Sequence, residues 1–238
     1  MSDPDQQSPV QASATNAPML SRAAWARILP FLAYLSFMVA ADLLGRLGVS
    51  ASALRWLYPV KIVTVMLTLV ICWRHYQELH TAKLSPIGTG SAVLVGLAVF
   101  ALWISLSSGW MLIGTPGGFD PRTNGQLDWL LVGLRIAGAA LVVPVMEELF
   151  WRSFLLRWLD NSDFLAVDPG QVRLSSVAIA AVLFGFEHNL WLAGIVAGVA
   201  YSVLYMRQRS LWSAIVAHAV TNGILGAWIV HSAQWHFW

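Results

Sequence analysis

Six or seven stretches of this chain are apolar over a length that suits a membrane span, which takes about 20 mostly apolar residues as a helix. They run Ile28–Leu44, Leu57–Trp73, Ser91–Leu106, Trp129–Leu156, Leu174–His188, Leu192–Met206 and Leu211–Val230. Each is continuous rather than alternating, so they read as helices and not as strands of a barrel. The fourth is the longest and is interrupted by Pro144; the fifth and sixth are short enough to be tilted or partly re-entrant. Polar connectors punctuate the pattern. One runs from Thr115 to Gln126 and another from Asp160 to Gly170. The predicted fold is an all-α, polytopic transmembrane helical bundle of about seven spans, without an internal repeat or a separate soluble domain.

Composition excludes the soluble alternatives. Apolar residues make up 58% of the chain and charged residues 11%, against roughly 25% charged in an average soluble domain. The net charge of +2 and the placement of basic residues at the ends of apolar runs leave no phosphate-binding stripe, so no nucleic acid partner is expected. The single cysteine, Cys72, lies inside an apolar run, which rules out a disulfide framework or thiolate metal site within one chain. Residues 1–21 are rich in Ser, Gln, Ala, Pro and Asp, contain no Lys or Arg, and are expected to form a disordered tail. The transmembrane domain is then 22–238.

Charge also predicts orientation. With the N-terminus cytoplasmic, Arg22, Arg27, Arg74, Lys83, Arg152, Arg157, Arg173, Arg207 and Arg209 fall on the inner side. Only Arg46, Arg55 and Arg122 fall on the outer side, while Lys61 and Arg135 lie within spans. Cytoplasmic flanks carry the excess of basic residues, so the chain reads as a multi-pass membrane protein with its N-terminus cytoplasmic.

Ionisable groups inside spans are expensive and mark function by default. The fourth span holds Glu147, Glu148 and Arg152. Glu148 and Arg152 are four apart on one helix face and can pair. Glu147 points about 100° away and is not neutralised by that pair. Pro144 disturbs the turn before the glutamates, which would help to admit water. The fifth span brings Phe184 and His188 to one face, and the seventh does so for His218 and Asn222. Each pair alone has a bland reading: solvated glutamates at a helix end, an interfacial histidine, polar glue between helices. Together, on three spans, they supply the groups that hydrolysis needs. Glu147, assisted by His188, would take a proton from water, and His218 with Asn222 would donate to the oxyanion.

In this order and spacing, EExxxR (Glu147, Glu148, Arg152), FxxxH (Phe184, His188) and HxxxN (His218, Asn222) resemble the CAAX prenyl protease and bacteriocin-processing family, also called CPBP or Abi. The resemblance covers roughly residues 129–230. The stretches His188–Trp191 and Ser210–Trp212 are similar to the bacterial subgroup associated with exosortase systems, which implies a bacterial inner membrane as the setting. The resemblance implies a glutamate-dependent intramembrane endopeptidase, all-helical, with a cavity open toward the cytosol and no cofactor. It makes Glu147 the catalytic glutamate, His188 its partner, and His218 with Asn222 the oxyanion donors, with Glu148, Arg152 and Phe184 supporting. The implied partners are a protein or peptide substrate, membrane lipids, and a functional link to an exosortase system.

Several alternatives remain in view. Zinc is not excluded, since Glu147, His188 and His218 are chemically suitable ligands, although HExxH is absent. Ser91 lacks the following glycine of a rhomboid protease, and the aspartates lie in loops or near span ends, unlike a GxGD aspartyl protease. A non-catalytic scaffold or immunity protein could use the same fold. A proton-coupled transporter would be expected to show paired half-helices or inverted repeats, which the chain lacks.

Overall fold

The computed structural model describes residues 20–81, 83–114 and 117–238. The tail expected at 1–21 lies, up to residue 19, outside the described residues. Each apolar run is a helix: α1 Arg22–Arg46, α2 Ala51–His75, α3 Pro86–Ser105, α4 Trp129–Trp158, α5 Leu174–Phe186, α6 Trp191–Gln208 and α7 Leu211–Ser232. Helices α1, α2, α3, α4 and α7 are long and apolar enough to cross a membrane. Val70, Leu94 and Leu141, in mid-helix, are 64%, 67% and 69% exposed. Side chains of that kind face lipid, and the protein is an integral membrane protein. The one sheet among the described residues is a hairpin pairing Arg122–Thr123 with Gln126–Leu127. Its turn, Asn124–Gly125, has both residues at positive φ, the geometry that closes a two-residue hairpin.

Small residues let the helices approach. A Cβ on Gly194 of α6 would stand 2.8 Å from the Gly185 Cα of α5, and one on Gly198 would stand 2.9 Å from the Ala181 Cα. A Cβ on Gly96 of α3 would collide with the Ala217 carbonyl of α7, and Thr221 Oγ1 donates to the Gly96 carbonyl at 2.9 Å. With no hydrophobic drive between helices in lipid, such close packing and interhelical hydrogen bonds hold the bundle.

Two prolines free backbone carbonyls, and side chains from elsewhere satisfy them. Pro30 lies inside α1 and cannot donate to the Ala26 carbonyl. The Tyr76 hydroxyl does so at 2.7 Å. In α4, Pro144 does not end the helix. The helix instead widens into a π turn over Gly138–Val142, in which Val143 N–H bonds to the Gly138 carbonyl. The next bond of that register would run from residue 144 to Ala139, and proline has no N–H. Asn222 Nδ2 of α7 donates to the Ala139 carbonyl at 2.9 Å. A second π stretch, Leu149–Leu155, follows the glutamates; π turns of this kind cluster at functional sites.

Three arginines counted as flanking charges prove to be buried structural groups. Arg27 is fully buried, with Nη2 2.6 Å from Glu78 Oε2, Nε 2.9 Å from Ser153 Oγ and Nη1 2.7 Å from the Ala23 carbonyl. Arg157 caps the same cluster from α4, bonding to Ser153, and Arg152 pairs with Glu148. Those exposed on the N-terminal side are Arg22, Arg74, Lys83, Arg173, Arg207 and Arg209, and they still outnumber Arg46, Arg55 and Arg122 opposite.

Candidate active site

Helix α5 has 13 residues, which at 1.5 Å per residue is about 20 Å, short of the ~30 Å hydrocarbon core. The turn 187–190 joins it to α6, and Asn189 Nδ2 of this turn donates to the Ile113 carbonyl at 2.9 Å. A cavity of about 360 Å³ lies against the turn, and Glu147, Phe184, Glu187, His188, His218 and Asn222 are among its lining residues. The structure thus brings together the groups expected from α4, α5 and α7.

Glu147 is buried in the cavity wall. Its Oε2 has no hydrogen-bond partner among the described residues and lies 4.0 Å from His218 Nε2. Glu148 points the other way, as the helical offset requires. Its Oε1 accepts from Arg152 Nη1 at 3.1 Å and meets His218 Nδ1 at 2.9 Å. Arg152 lies over the rings of Phe184 (4.4 Å) and Tyr201 (5.4 Å), and the His218 ring stacks on Tyr201 at 5.1 Å. Glu148 is therefore more than the partner of Arg152: it orients His218 so that Nε2 faces Glu147.

His188 is oriented by its own helix end. Its Nδ1 is 2.8 Å from the Phe184 carbonyl, and since a carbonyl only accepts, Nδ1 carries the proton. In the neutral ring Nε2 is then the acceptor. Trp103 of α3 meets the ring edge-on at 5.3 Å. Asn222 spends one amide hydrogen on Ala139, leaving the second for another acceptor.

The cavity also holds groups that sequence reasoning passed over. Glu187 accepts from Trp151 Nε1 at 3.0 Å and lines the same wall; a second acid beside His188 in an apolar run was the available signal. Tyr34, Lys61, Arg135 and Tyr201 line it as well. Among the described residues, no three His, Cys, Asp or Glu side chains are grouped so that they could hold a metal ion.

The lining residues also fix the direction of opening. They come from the second half of α1, the first two turns of α2's regular helix, the end of α3, the first two-thirds of α4, the end of α5 and the turn after it, the middle of α6 and of α7, and residues 236–238. This is the end of the bundle away from Arg22. A cytoplasmic N-terminus and a cytosol-facing cavity, both expected from the sequence, cannot hold together.

Residues 129–224 match the family model described as type II CAAX prenyl endopeptidase Rce1-like. Neither a curated protein nor a solved structure matches the chain.

Proposed function

We propose, since the chain belongs through residues 129–224 to the CAAX protease family, that it hydrolyses a peptide bond of a protein or peptide substrate by a water activated at Glu147. The family carries the general statement, an intramembrane protease. The glutamate mechanism rests on one observation, the unpartnered Glu147 Oε2 in a cavity wall 4.0 Å from His218 Nε2.

In this reading Glu147 takes a proton from water as the water oxygen attacks the peptide carbonyl carbon. The developing oxyanion is met by the free amide hydrogen of Asn222 and, in the imidazolium form, by His218 Nε2. His188 Nε2 accepts a hydrogen bond from the water or the substrate. Glu147 then returns its proton to the leaving amine nitrogen as the C–N bond breaks. Arg152 and Glu148 hold the imidazole in place throughout. The shared low-dielectric cavity strengthens each of these contacts relative to water.

The exposed basic residues favour a cytoplasmic N-terminus, and the cavity then opens on the opposite, extracytoplasmic side. The stretches similar to the exosortase-associated subgroup support a bacterial inner-membrane setting and a functional link to such a system. Peptidomics of membranes carrying wild type or Glu147→Gln tests the activity: new C-terminal ends are expected with wild type alone. Identical peptide pools would overturn the reading. The same comparison in 1,10-phenanthroline separates it from the zinc-dependent alternative, which predicts loss.

A further inference from the structure

Glu147 and His188 line one cavity, yet no hydrogen bond or ion pair joins them among the described residues. Their spacing is therefore set by whatever holds the 187–190 turn against α4. On one side the turn is braced by the segment that follows α3. Ile113 N–H donates to the Asn189 carbonyl at 2.8 Å, Asn189 Nδ2 donates back to the Ile113 carbonyl, and Trp191 Nε1 donates to the Trp110 carbonyl at 2.9 Å. Toward α4 the turn makes a single hydrogen bond among the described residues, from Trp151 Nε1 to Glu187 Oε2 at 3.0 Å.

The donor of that bond is held still. Trp151 is buried, and its ring meets Phe31 at 5.7 Å, Phe150 at 5.0 Å and Phe184 at 5.7 Å, each nearly at a right angle. Three edge-to-face contacts fix the plane of the indole and so the direction of its one N–H. Trp151 stands four residues after Glu147, about one turn further along α4, and Glu187 immediately precedes His188. A buried indole N–H left without an acceptor is costly, so the bond pulls the end of α5 onto α4. We propose that Glu187 is a positioning residue: through Trp151 it sets the distance between the Glu147 carboxylate and the His188 imidazole. Its part is that of an acceptor, and it neither touches substrate nor carries a proton of the reaction. The catalytic consequence rests on the protease reading; the tether between α4 and α5 does not.

Full-length protein in lipid nanodiscs allows the tether and turnover to be read separately. Amide hydrogen exchange over residues 187–190, followed by mass spectrometry, should quicken in Glu187→Ala and in Trp151→Phe. It should return to the wild-type rate in Glu187→Gln, which keeps an acceptor for the indole. With a peptide recovered from wild-type membranes as substrate, Glu187→Ala should lower kcat by about 10²-fold, the cost of a misplacement of about 1 Å. KM should change little, and Glu187→Gln should restore most of the rate. Trp151→Phe should be slowed to a similar degree, and adding it to Glu187→Ala should cost little more, because the same bond is lost once. A Glu187→Gln protein as slow as Glu187→Ala overturns the proposal, since charge and not acceptance would then matter. Multiplying losses in the double variant, or unchanged exchange in the turn, overturn it as well. A wild-type protein that cleaves nothing but shows the expected exchange pattern would sink the protease reading and leave the α4–α5 tether standing.

Discussion

Glu148 Oε1 is shared: His218 Nδ1 reaches it at 2.9 Å and Arg152 Nη1 at 3.1 Å. One buried oxygen thereby ties α4 to α7 and aims the other imidazole nitrogen at Glu147. The two adjacent glutamates consequently have different relations to stability. Glu148 Oε1 carries both partners while its Oε2, like Glu147 Oε2, is buried without a hydrogen bond among the described residues; Glu147 has no ionic partner closer than His218 Nε2 at 4.0 Å.

Glu148→Gln should lower the thermal stability of the purified protein sharply, because removing one member of a buried charge pair costs about 3–5 kcal/mol. Glu147→Gln should leave the unfolding temperature unchanged or raise it. Equal losses in the two variants would contradict the division of roles.

Asn222 and Pro144 are predicted to be coupled through the Ala139 carbonyl. Asn222→Ala leaves that buried acceptor unsatisfied, at a cost of about 1–3 kcal/mol. In a Pro144→Ala background the returned N–H satisfies the helix, so the same substitution should cost less, with a coupling of about 1 kcal/mol. A double-mutant cycle by thermal unfolding measures this; strict additivity would show that the amide is not replacing the proline's missing donor.

Glu78 lies outside the spans and predicts a pH dependence. Burial alone would raise its carboxyl, but the Arg27 charge and hydrogen bonds from Arg27 and Ser153 outweigh it and hold the group below its ordinary 4.5. The unfolded chain therefore binds this proton more readily. The contribution of the pair is complete above pH 4.5 and is lost as the pH falls through the lowered folded value. Denaturant midpoints across this acid range should fall for wild type and flatten for Glu78→Gln; parallel curves would contradict the assignment.

Gly194→Ala should destabilise the α5–α6 pair by about 1–3 kcal/mol, as overpacking does, and should slow turnover by displacing the His188 turn. The obstruction is backbone, the Gly185 Cα at 2.8 Å. Gly90→Ala in α3 meets nothing within 4 Å and serves as the control, with a gain of about 0.5–1 kcal/mol from helix propensity. Matching effects at the two sites would refute the close-contact argument.

The helices were legible because lipid-facing residues make long apolar runs: the expected Leu57–Trp73 and Trp129–Leu156 differ from the observed helices only at their ends. The α4 motif was legible because two adjacent carboxylates in such a run demand a reason. The π turn at Gly138–Val142 was not, since it depends on an amide from Asn222, distant in sequence. Arg27 looked like a flanking charge because its partners, Glu78 and Ser153, come from other segments. Helix α5 begins at Leu174, where its apolar run begins, and ends at Phe186, just before Glu187 and His188. Lys61 and Arg135 were visible as charges within spans, but only the folded chain brings both to one cavity.

Cleavage of a peptide recovered from wild-type membranes, assayed with purified protein in lipid nanodiscs, tests the role of Glu147 most directly. Glu147→Gln should slow hydrolysis by about 10²–10⁴-fold, the range of general-base catalysis, while its unfolding temperature stays at or above that of wild type. A folded Glu147→Gln protein that cleaves at the wild-type rate would contradict the account.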